Sequence, residues 1–268
     1  MDLREVSKAF SLPYEEVENL FLHYTKIPRY RLYSSPPTNQ INEEFLSLLE
    51  KKKAGYPTQY LTRTAFFLDL ELYVDERVFI PRPETEGLVI LISQSLPQRE
   101  PLRFLEIGTG SGNIAISLAR LFPRAEIIAT DISESALSVA RINILRYKLA
   151  ERVRLVKSDL FSAPEIKSSS FDLLVSNPPY IPTEEIEELD KGVKEFEPKI
   201  ALDGGPDGCL YLKRIIEEGR RYLKPGGKIF LEIDPRARER ILSLEGSAQF
   251  YPDLSGSIRY AVLSPNSG

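Results

Sequence analysis

The sequence predicts an α/β fold: a mostly parallel sheet covered on both faces by helices, with a small helical domain in front of it. Three observations carry that prediction. From about residue 102 onward, short apolar runs alternate with segments of helical periodicity, which is the pattern of strand–helix–strand crossovers. The first run ends in a glycine-rich turn, Leu105-Glu106-Ile107-Gly108-Thr109-Gly110-Ser111-Gly112, and the fourth ends in Ser176-Asn177-Pro178-Pro179-Tyr180-Ile181. Before residue 57 the apolar spacing is that of helices alone.

Residues 1–56 read as the helical domain. Leu3, Val6 and Phe10, then Val17, Leu20, Phe21 and Tyr24, fit one helix face each, and Phe45, Leu46, Leu48 and Leu49 close a further helix before Gly55. Ser34-Ser35-Pro36-Pro37-Thr38 is a loop inside this domain, since the helical spacing resumes beyond it. Residues 57–80 are expected to link the domains. There, Leu68, Leu70, Leu72 and Val74 alternate with polar neighbours, as in one arm of a β-hairpin. Residues 81–268 form the larger domain. Pro83 followed by Glu84 and Glu86 is good chemistry for a helix start, and Leu88 to Ile92 supply its apolar face. Capping explains most of that block, and a ligand-facing role for Glu84 or Thr85 stays open.

The alternation then becomes regular. Strands are expected at 102–107, 125–129, 153–156 and 171–175, with helices at 113–121 and 134–147 and a loop over 158–170. A helix over 209–223, a strand over 228–233 and a charged helical segment over 236–244 follow. Two late strands, 248–251 and 258–263, are joined through Pro252-Asp253-Leu254-Ser255-Gly256, which predicts one antiparallel edge strand.

Composition narrows the function classes. A chain of 268 residues with 42% hydrophobic content can bury roughly three quarters of its unfolded surface. The net charge of −4 disfavours a polyanion as main partner. Cys209 is the only cysteine and His23 the only histidine, so neither a disulfide framework nor a cysteine/histidine metal cluster is expected, and both residues read as packing or surface positions. The opening Met1-Asp2-Leu3-Arg4-Glu5 is unlike a signal sequence and no apolar run approaches a membrane span, so a cytoplasmic protein is expected.

The two motifs carry the chemistry. Glycines 108, 110 and 112 directly after a strand let the backbone pass close to a ligand, at the start of a helix whose first N–H groups are unpaired. A dinucleotide enzyme would place pyrophosphate there. Glu106, two residues before the first glycine, opposes phosphate and favours a cationic or zwitterionic ligand. Asp131 closes the second strand, where an acid can bind both ribose hydroxyls. After the fourth strand, two successive prolines hold the backbone extended and offer carbonyl oxygens without competing N–H donors. Asn177 adds a side-chain oxygen and Tyr180 a flat ring, so the segment suits a planar NH₂ group.

These residues resemble the class I S-adenosylmethionine-dependent methyltransferases, and more closely the glutamine N5-methyltransferases of peptide chain release factors. The resemblance covers nearly the whole chain. It rests on Gln59-Tyr60-Leu61, Ile80-Pro81-Arg82-Pro83-Glu84-Thr85-Glu86, the Glu106 to Gly112 turn, Asn177-Pro178-Pro179-Tyr180-Ile181, Glu197-Pro198 with Ala201-Leu202, Gly204-Gly205-Pro206-Asp207-Gly208, and Lys224-Pro225-Gly226-Gly227. It implies a Rossmann-like, seven-stranded, mostly parallel sheet, with the helical domain selecting the substrate. It implies S-adenosyl-L-methionine as cofactor, S-adenosyl-L-homocysteine as product, and release factors 1 and 2 as protein substrates, methylated on the glutamine of a Gly-Gly-Gln loop. The implied cofactor residues are Glu106, Gly108, Thr109, Gly110, Ser111, Gly112, Asp131, Ile132, Asp159, Leu160 and Asn177. The implied catalytic and substrate-binding residues are Asn177, Pro178, Pro179 and Tyr180, with no metal. Where the family continues Glu-Ile-Gly with a glutamine soon after, this chain has Glu232-Ile233-Asp234-Pro235-Arg236, which leaves the path of the late sheet open.

The Asn177 to Tyr180 tetrapeptide also serves enzymes that methylate exocyclic amino groups of DNA or RNA bases, which is the alternative reading. Between Glu184 and Glu197 stand seven carboxylates (Glu184, Glu185, Glu187, Glu188, Asp190, Glu195 and Glu197) against Lys191 and Lys194. That run reads as a solvated helix face, and it would repel a phosphate backbone while tolerating a basic protein. A non-catalytic binder would show damage in one of the two motifs, and a dehydrogenase would have no use for the acceptor-rich tetrapeptide. The oligomeric state stays open, with a monomer favoured.

Overall fold

The computed structural model describes residues 2–34 and 41–264. Residues 35–38 of the expected Ser34 to Thr38 loop, and Met1, lie outside the described residues. The chain divides into two compact units, residues 1–64 with 190–196, and residues 65–189 with 197–268. The stretch 57–80 is thereby apportioned between them.

The first unit is helical: α1 (Leu3–Phe10), α2 (Tyr14–Thr25), α3 (Arg29–Ser34), α4 (Glu43–Lys53), α5 (Thr58–Thr62) and, from the later segment, α9 (Lys191–Phe196). Asp2 and Glu5 form a reciprocal capping box at the start of α1, and the Asn42 side chain accepts from Phe45 N–H at the start of α4. Val6, Val17, Leu20, Phe21, Phe45 and Leu49 make its core, the positions that the helical spacing marks. Phe21 and Phe45 meet edge to face with centroids 5.1 Å apart.

The second unit opens with a hairpin, β1 (Ala65–Phe67) and β2 (Leu70–Leu72), so both arms lie in the stretch that alternation presents as one. Leu68 is the reason: it sits at φ 52° in the turn, a left-handed conformation that period-two spacing does not reveal. Helix α6 (Pro83–Ser95) follows. The seven-stranded sheet has the order β5-β4-β3-β6-β7-β9-β8, with β3 (Arg103–Ile107), β4 (Glu126–Asp131), β5 (Val153–Lys157), β6 (Phe171–Ser176), β7 (Leu223–Glu232), β8 (Gln249–Pro252) and β9 (Ile258–Leu263). The five strands from β5 to β7 are parallel. The reversed strand is β9, which lies between β7 and the edge strand β8 rather than at the edge. A tight turn before β9 brings it back beside β8, and its other side completes β7.

Helices α7 (Asn113–Leu121), α8 (Glu134–Arg146), α10 (Leu210–Gly219) and α11 (Arg238–Leu244) supply the crossovers. One core collects Leu88, Val89, Phe104, Ile116, Leu118 and Phe230; the other collects Leu105, Leu174, Leu212, Ile216, Ile229 and Ile241. Adjacent strand residues such as Phe104 and Leu105 thus serve opposite faces, and continuous apolar runs follow from a sheet buried on both sides. Parallel register sets the carboxyl ends level. Ile107 pairs with Thr130 and Ser176, Thr130 with Val156, and Ser176 with Leu231. Gly108, Asp131, Asn177 and Glu232 therefore all leave the sheet in one row.

Candidate active site

An open cavity lies over that row. Its wall includes Gly108, Thr109, Gly110, Ser111, Asp131, Ile132, Asp159, Leu160, Asn177, Pro178, Pro179 and Tyr180. The turn after β3, the ends of β4 and β5 and the loop after β6 thus meet at one place, as parallel sheets arrange their ligand sites. Two predicted residues stand elsewhere. Glu106 is fully buried beneath the turn, and Gly112 packs between helices, where an added Cβ would sit 3.4 Å from Ala140 Cβ and Ile116 Cδ1.

The turn is cross-braced. Thr109 N–H donates to Thr130 O at 2.8 Å, Gly110 N–H to Asp131 Oδ2 at 2.9 Å, and Thr130 Oγ1 to Glu106 O at 2.9 Å. Asn143, to which no motif points, donates from Nδ2 to Ser111 O and Tyr73 O, both at 2.9 Å, and ties the turn to the segment after the hairpin. Gly108 and Gly110 have φ of 75° and 53°, and a Cβ on either would meet nothing within 4 Å. The missing side chains leave open space beside the turn, so a ligand can approach its backbone closely.

Two carboxylates give the turn its charge preference. Asp131 accepts from Gly110 N–H through Oδ2 and from Ser133 N–H through Oδ1, each at 2.9 Å, and still has lone pairs for hydroxyl donors. Burial raises its carboxyl above the ordinary range, against the pull of those N–H donors. Glu106 accepts from Thr109 Oγ1 at 2.7 Å through Oε2, while its buried Oε1 has no partner among the described residues. Desolvation pushes Glu106 up to about 8, opposed by Thr109 and reinforced by Asp131. With its carboxyl raised by burial, Glu106 ionises most readily beside a cationic group, so this position favours a positive ligand end over phosphate. The residues present therefore fit a ligand with ribose hydroxyls and a positive end. At the far edge, exposed Asp159 pairs with Arg214 Nη1 at 3.3 Å and buried Leu160 adopts φ 48°.

The tetrapeptide is held from behind by the second glycine block. Ile181 N–H donates to Leu202 O at 3.1 Å, Gly204 N–H to Ile181 O at 2.8 Å, and Thr183 N–H to Gly205 O at 3.0 Å. A Cβ on Gly204 would lie 2.8 Å from Pro179 O and Tyr180 Cα, and one on Gly208 would lie 2.4 Å from Tyr180 O. The Gly204 to Gly208 block is therefore a backbone-to-backbone seat for Pro179 and Tyr180. In front, Asn177 Nδ2 donates to Thr85 Oγ1 at 3.1 Å, so Oδ1 is the side-chain atom left to accept. Tyr180 lines the cavity, and its hydroxyl reaches Glu232 Oε1 at 3.5 Å. Desolvation, then the negative charge of Glu232, raises the phenol so that it stays protonated.

Several wall residues were beyond sequence reasoning: Arg77, Val78 and Phe79 before α6, Ile200 after the acidic run, and Tyr211 on α10. Thr85, left open between capping and ligand contact, is buried and reaches Asn177. Glu232, which stood in the departure from the family pattern, lies level with Asn177 across the β6–β7 pairing. The acidic run is not uniformly solvated. Glu184, Glu187, Glu188 and Glu195 are exposed, but Glu197 is buried, pairs with Arg82 and accepts from Ile80 N–H at 3.0 Å. Spacing alone groups Glu197 with its neighbours; its partners lie more than a hundred residues back in the chain.

Comparisons with known proteins converge on one chemistry. A family model described as a methyltransferase domain matches residues 99–250. A release factor glutamine methyltransferase from Thermosynechococcus vestitus is 42% identical over 77% of this chain and 73% of its own length. One of the same name from Thermodesulfovibrio yellowstonii is 33% identical over 97% and 96% of the two chains. Among solved structures, a methyltransferase from Pyrococcus furiosus superposes with a TM-score of 0.52 at 23% identity, covering 73% of this chain and 88% of that one, a likeness of fold.

Proposed function

The chain belongs to the release factor glutamine methyltransferases, and on that premise we propose which of its residues carry the transfer. The protein is an S-adenosylmethionine-dependent protein-glutamine methyltransferase acting on release factor glutamine. We assign the acceptor as the side-chain amide nitrogen, N5, of the glutamine in a Gly-Gly-Gln loop, and the substrates as release factors 1 and 2. The bound cofactor supplies an electrophilic methyl group on a sulfonium centre. Its ribose is assigned to Asp131, with Ile132 beside it, and its amino-acid end to the cradle of Gly108, Thr109, Gly110 and Ser111 above Glu106. Asp159 and Leu160 are assigned to the adenine side, and Gly112 shapes the cradle from behind.

The difficulty lies in the nucleophile. An amide nitrogen shares its lone pair with the carbonyl, so it attacks only when its hydrogens are held in a way that releases that pair. Asn177 Oδ1 and the Pro178 carbonyl each accept one N–H of the incoming amide. That fixes the nitrogen's direction and favours departure of one proton as the new C–N bond forms. Positioning of this kind supplies up to roughly 7–11 kcal/mol in favourable cases. Tyr180 presents its ring face to the planar amide, and Pro179, seated on Gly204, keeps the segment rigid. No covalent intermediate on the protein is needed.

The observation that carries this reading is the commitment of Asn177 Nδ2 to Thr85, which leaves Oδ1 as the side-chain acceptor. The helical unit, with its own core and the exposed Tyr30 and Tyr33, is proposed to recognise the release factor. No helix among the described residues is long and apolar enough to cross a membrane, and a cytoplasmic location is proposed. The test is incubation with methyl-labelled cofactor and, separately, purified release factor, ribosomal RNA and duplex DNA. Label is expected on one glutamine amide of the release factor; label in DNA or RNA alone would overturn the reading.

A further inference from the structure

An asparagine can serve as an acceptor only if its amide is turned the right way, because its oxygen and nitrogen occupy nearly equivalent positions. Something must set that polarity. The Nδ2 of Asn177 donates to Thr85 Oγ1 at 3.1 Å, and Thr85 is 2% exposed on the first turn of α6. A threonine hydroxyl both donates and accepts, so by itself it would hold either orientation of the amide. Glu232, 1% exposed at the end of β7, lies beside that hydroxyl, which helps to stabilise its charged form. An ionised carboxylate is acceptor only. The buried Oε2 of Glu232, without a hydrogen-bond partner among the described residues, is an acceptor to which the threonine proton can turn, leaving the threonine lone pairs for the asparagine N–H. Its Oε1 takes the Tyr180 hydroxyl at 3.5 Å.

We propose that Thr85 and Glu232 are positioning residues that fix the amide polarity of Asn177, presenting Oδ1 to the substrate nitrogen. This rests on the role given to Asn177 above. Neither residue touches the reacting atoms. Glu232 acts through Thr85 on Asn177 and directly on the Tyr180 hydroxyl, so one buried carboxylate braces both ends of the tetrapeptide. The groups facing it are Thr85 and Glu84 from α6, Tyr180 from the loop, and Arg259 and Tyr260 from β9. Burial pushes Glu232 up to about 7; Thr85, Arg259 and Tyr180 pull it down and Glu84 pushes it up. Its charge, and with it the direction of the relay, therefore changes near neutral pH. When Glu232 is protonated the threonine proton is free to turn toward Asn177, and the amide can invert.

The test is single-turnover methylation of purified release factor by Thr85→Val, Thr85→Ser, Glu232→Gln and Asn177→Ala, with cofactor affinity measured separately. Thr85→Val keeps the side-chain shape and removes the hydroxyl; its rate should fall about 10- to 100-fold, with cofactor affinity within roughly twofold of the parent. Thr85→Ser restores the hydroxyl and should recover most of the rate. The parent's rate should rise with pH through about 7, and Glu232→Gln should be slow and lack that rise. A Thr85→Val rate equal to the parent's, a Thr85→Ser as slow as Thr85→Val, or an unaltered pH profile in Glu232→Gln would each overturn the proposal. If Thr85→Val does not fold, the serine and glutamine variants decide. Should Asn177→Ala itself turn over normally, the reading of the active site fails; an inactive Asn177→Ala beside an active Thr85→Val sinks only the positioning role.

Discussion

Replacing Gly208 by alanine should damage methyl transfer without touching any group that meets the substrate. The new Cβ would stand 2.4 Å from Tyr180 O and 3.2 Å from Pro182 Cδ, and the backbone there has φ 69°. Carbon and oxygen need roughly 3.2 Å or more, so the tetrapeptide or the glycine block must give way by nearly 1 Å. Left-handed strain for a non-glycine residue costs about 1–2 kcal/mol and overpacking about 1–3 kcal/mol, together roughly 2–5 kcal/mol. Displacement of reacting groups by that distance costs on the order of 100-fold in rate. Gly256→Ala is the control, since Gly256 has φ 87° and open space around it, so only the strain applies. Thermal unfolding should place Gly208→Ala below Gly256→Ala, and single-turnover methylation at saturating cofactor should be slowed only in the former. Equal rates for the two variants would show that the glycine block does not seat the tetrapeptide.

Asp131→Ala should weaken cofactor binding by about 10- to 150-fold, the equivalent of about 1.5–3 kcal/mol for lost charged hydrogen bonds, as read by calorimetry; undiminished affinity would remove the ribose from this carboxylate. Glu106, raised by burial to about 8, contributes stability that is complete below its unfolded value and lost as pH climbs through about 8. Glu106→Gln, neutral throughout, should therefore flatten the decline in ligand-free stability between about pH 5 and 8.5, and an unchanged slope would refute the assignment. Arg82→Ala leaves the Glu197 carboxylate, 1% exposed, with a single backbone donor, and should cost about 3 kcal/mol in denaturant unfolding, partly restored by Glu197→Gln in the same chain.

The parts of this site that depend on local chain chemistry are legible in the sequence. A strand handing over to Gly108-Thr109-Gly110, and another handing over to Asn177-Pro178-Pro179-Tyr180, declare themselves by the apolar runs before them and the backbone habits of glycine and proline. The helical core of Val6, Val17, Phe21 and Phe45 follows from spacing in the same way. What spacing does not convey is registry between distant segments. Glu232 comes level with Asn177 only through the β6–β7 pairing, whose register shifts between Phe171 and Leu173. Glu197 looks like one acid in a solvated run until Arg82 and Ile80 are brought to it. The hairpin is expected, but its turn is concealed because Leu68 continues the apolar alternation of the strands around it. Gly112 carries the same motif signature as Gly108 and Gly110, yet the neighbouring helix, not the motif, decides that it packs inward.

The most direct test of the account is single-turnover transfer from labelled cofactor to release factor by Asn177→Ala, with cofactor affinity measured on the same preparation. The account predicts near-normal cofactor binding and a transfer rate reduced by orders of magnitude, since the amide nitrogen loses one of its two acceptors. Transfer at the parent rate, with the methyl group on the same glutamine nitrogen, would contradict it.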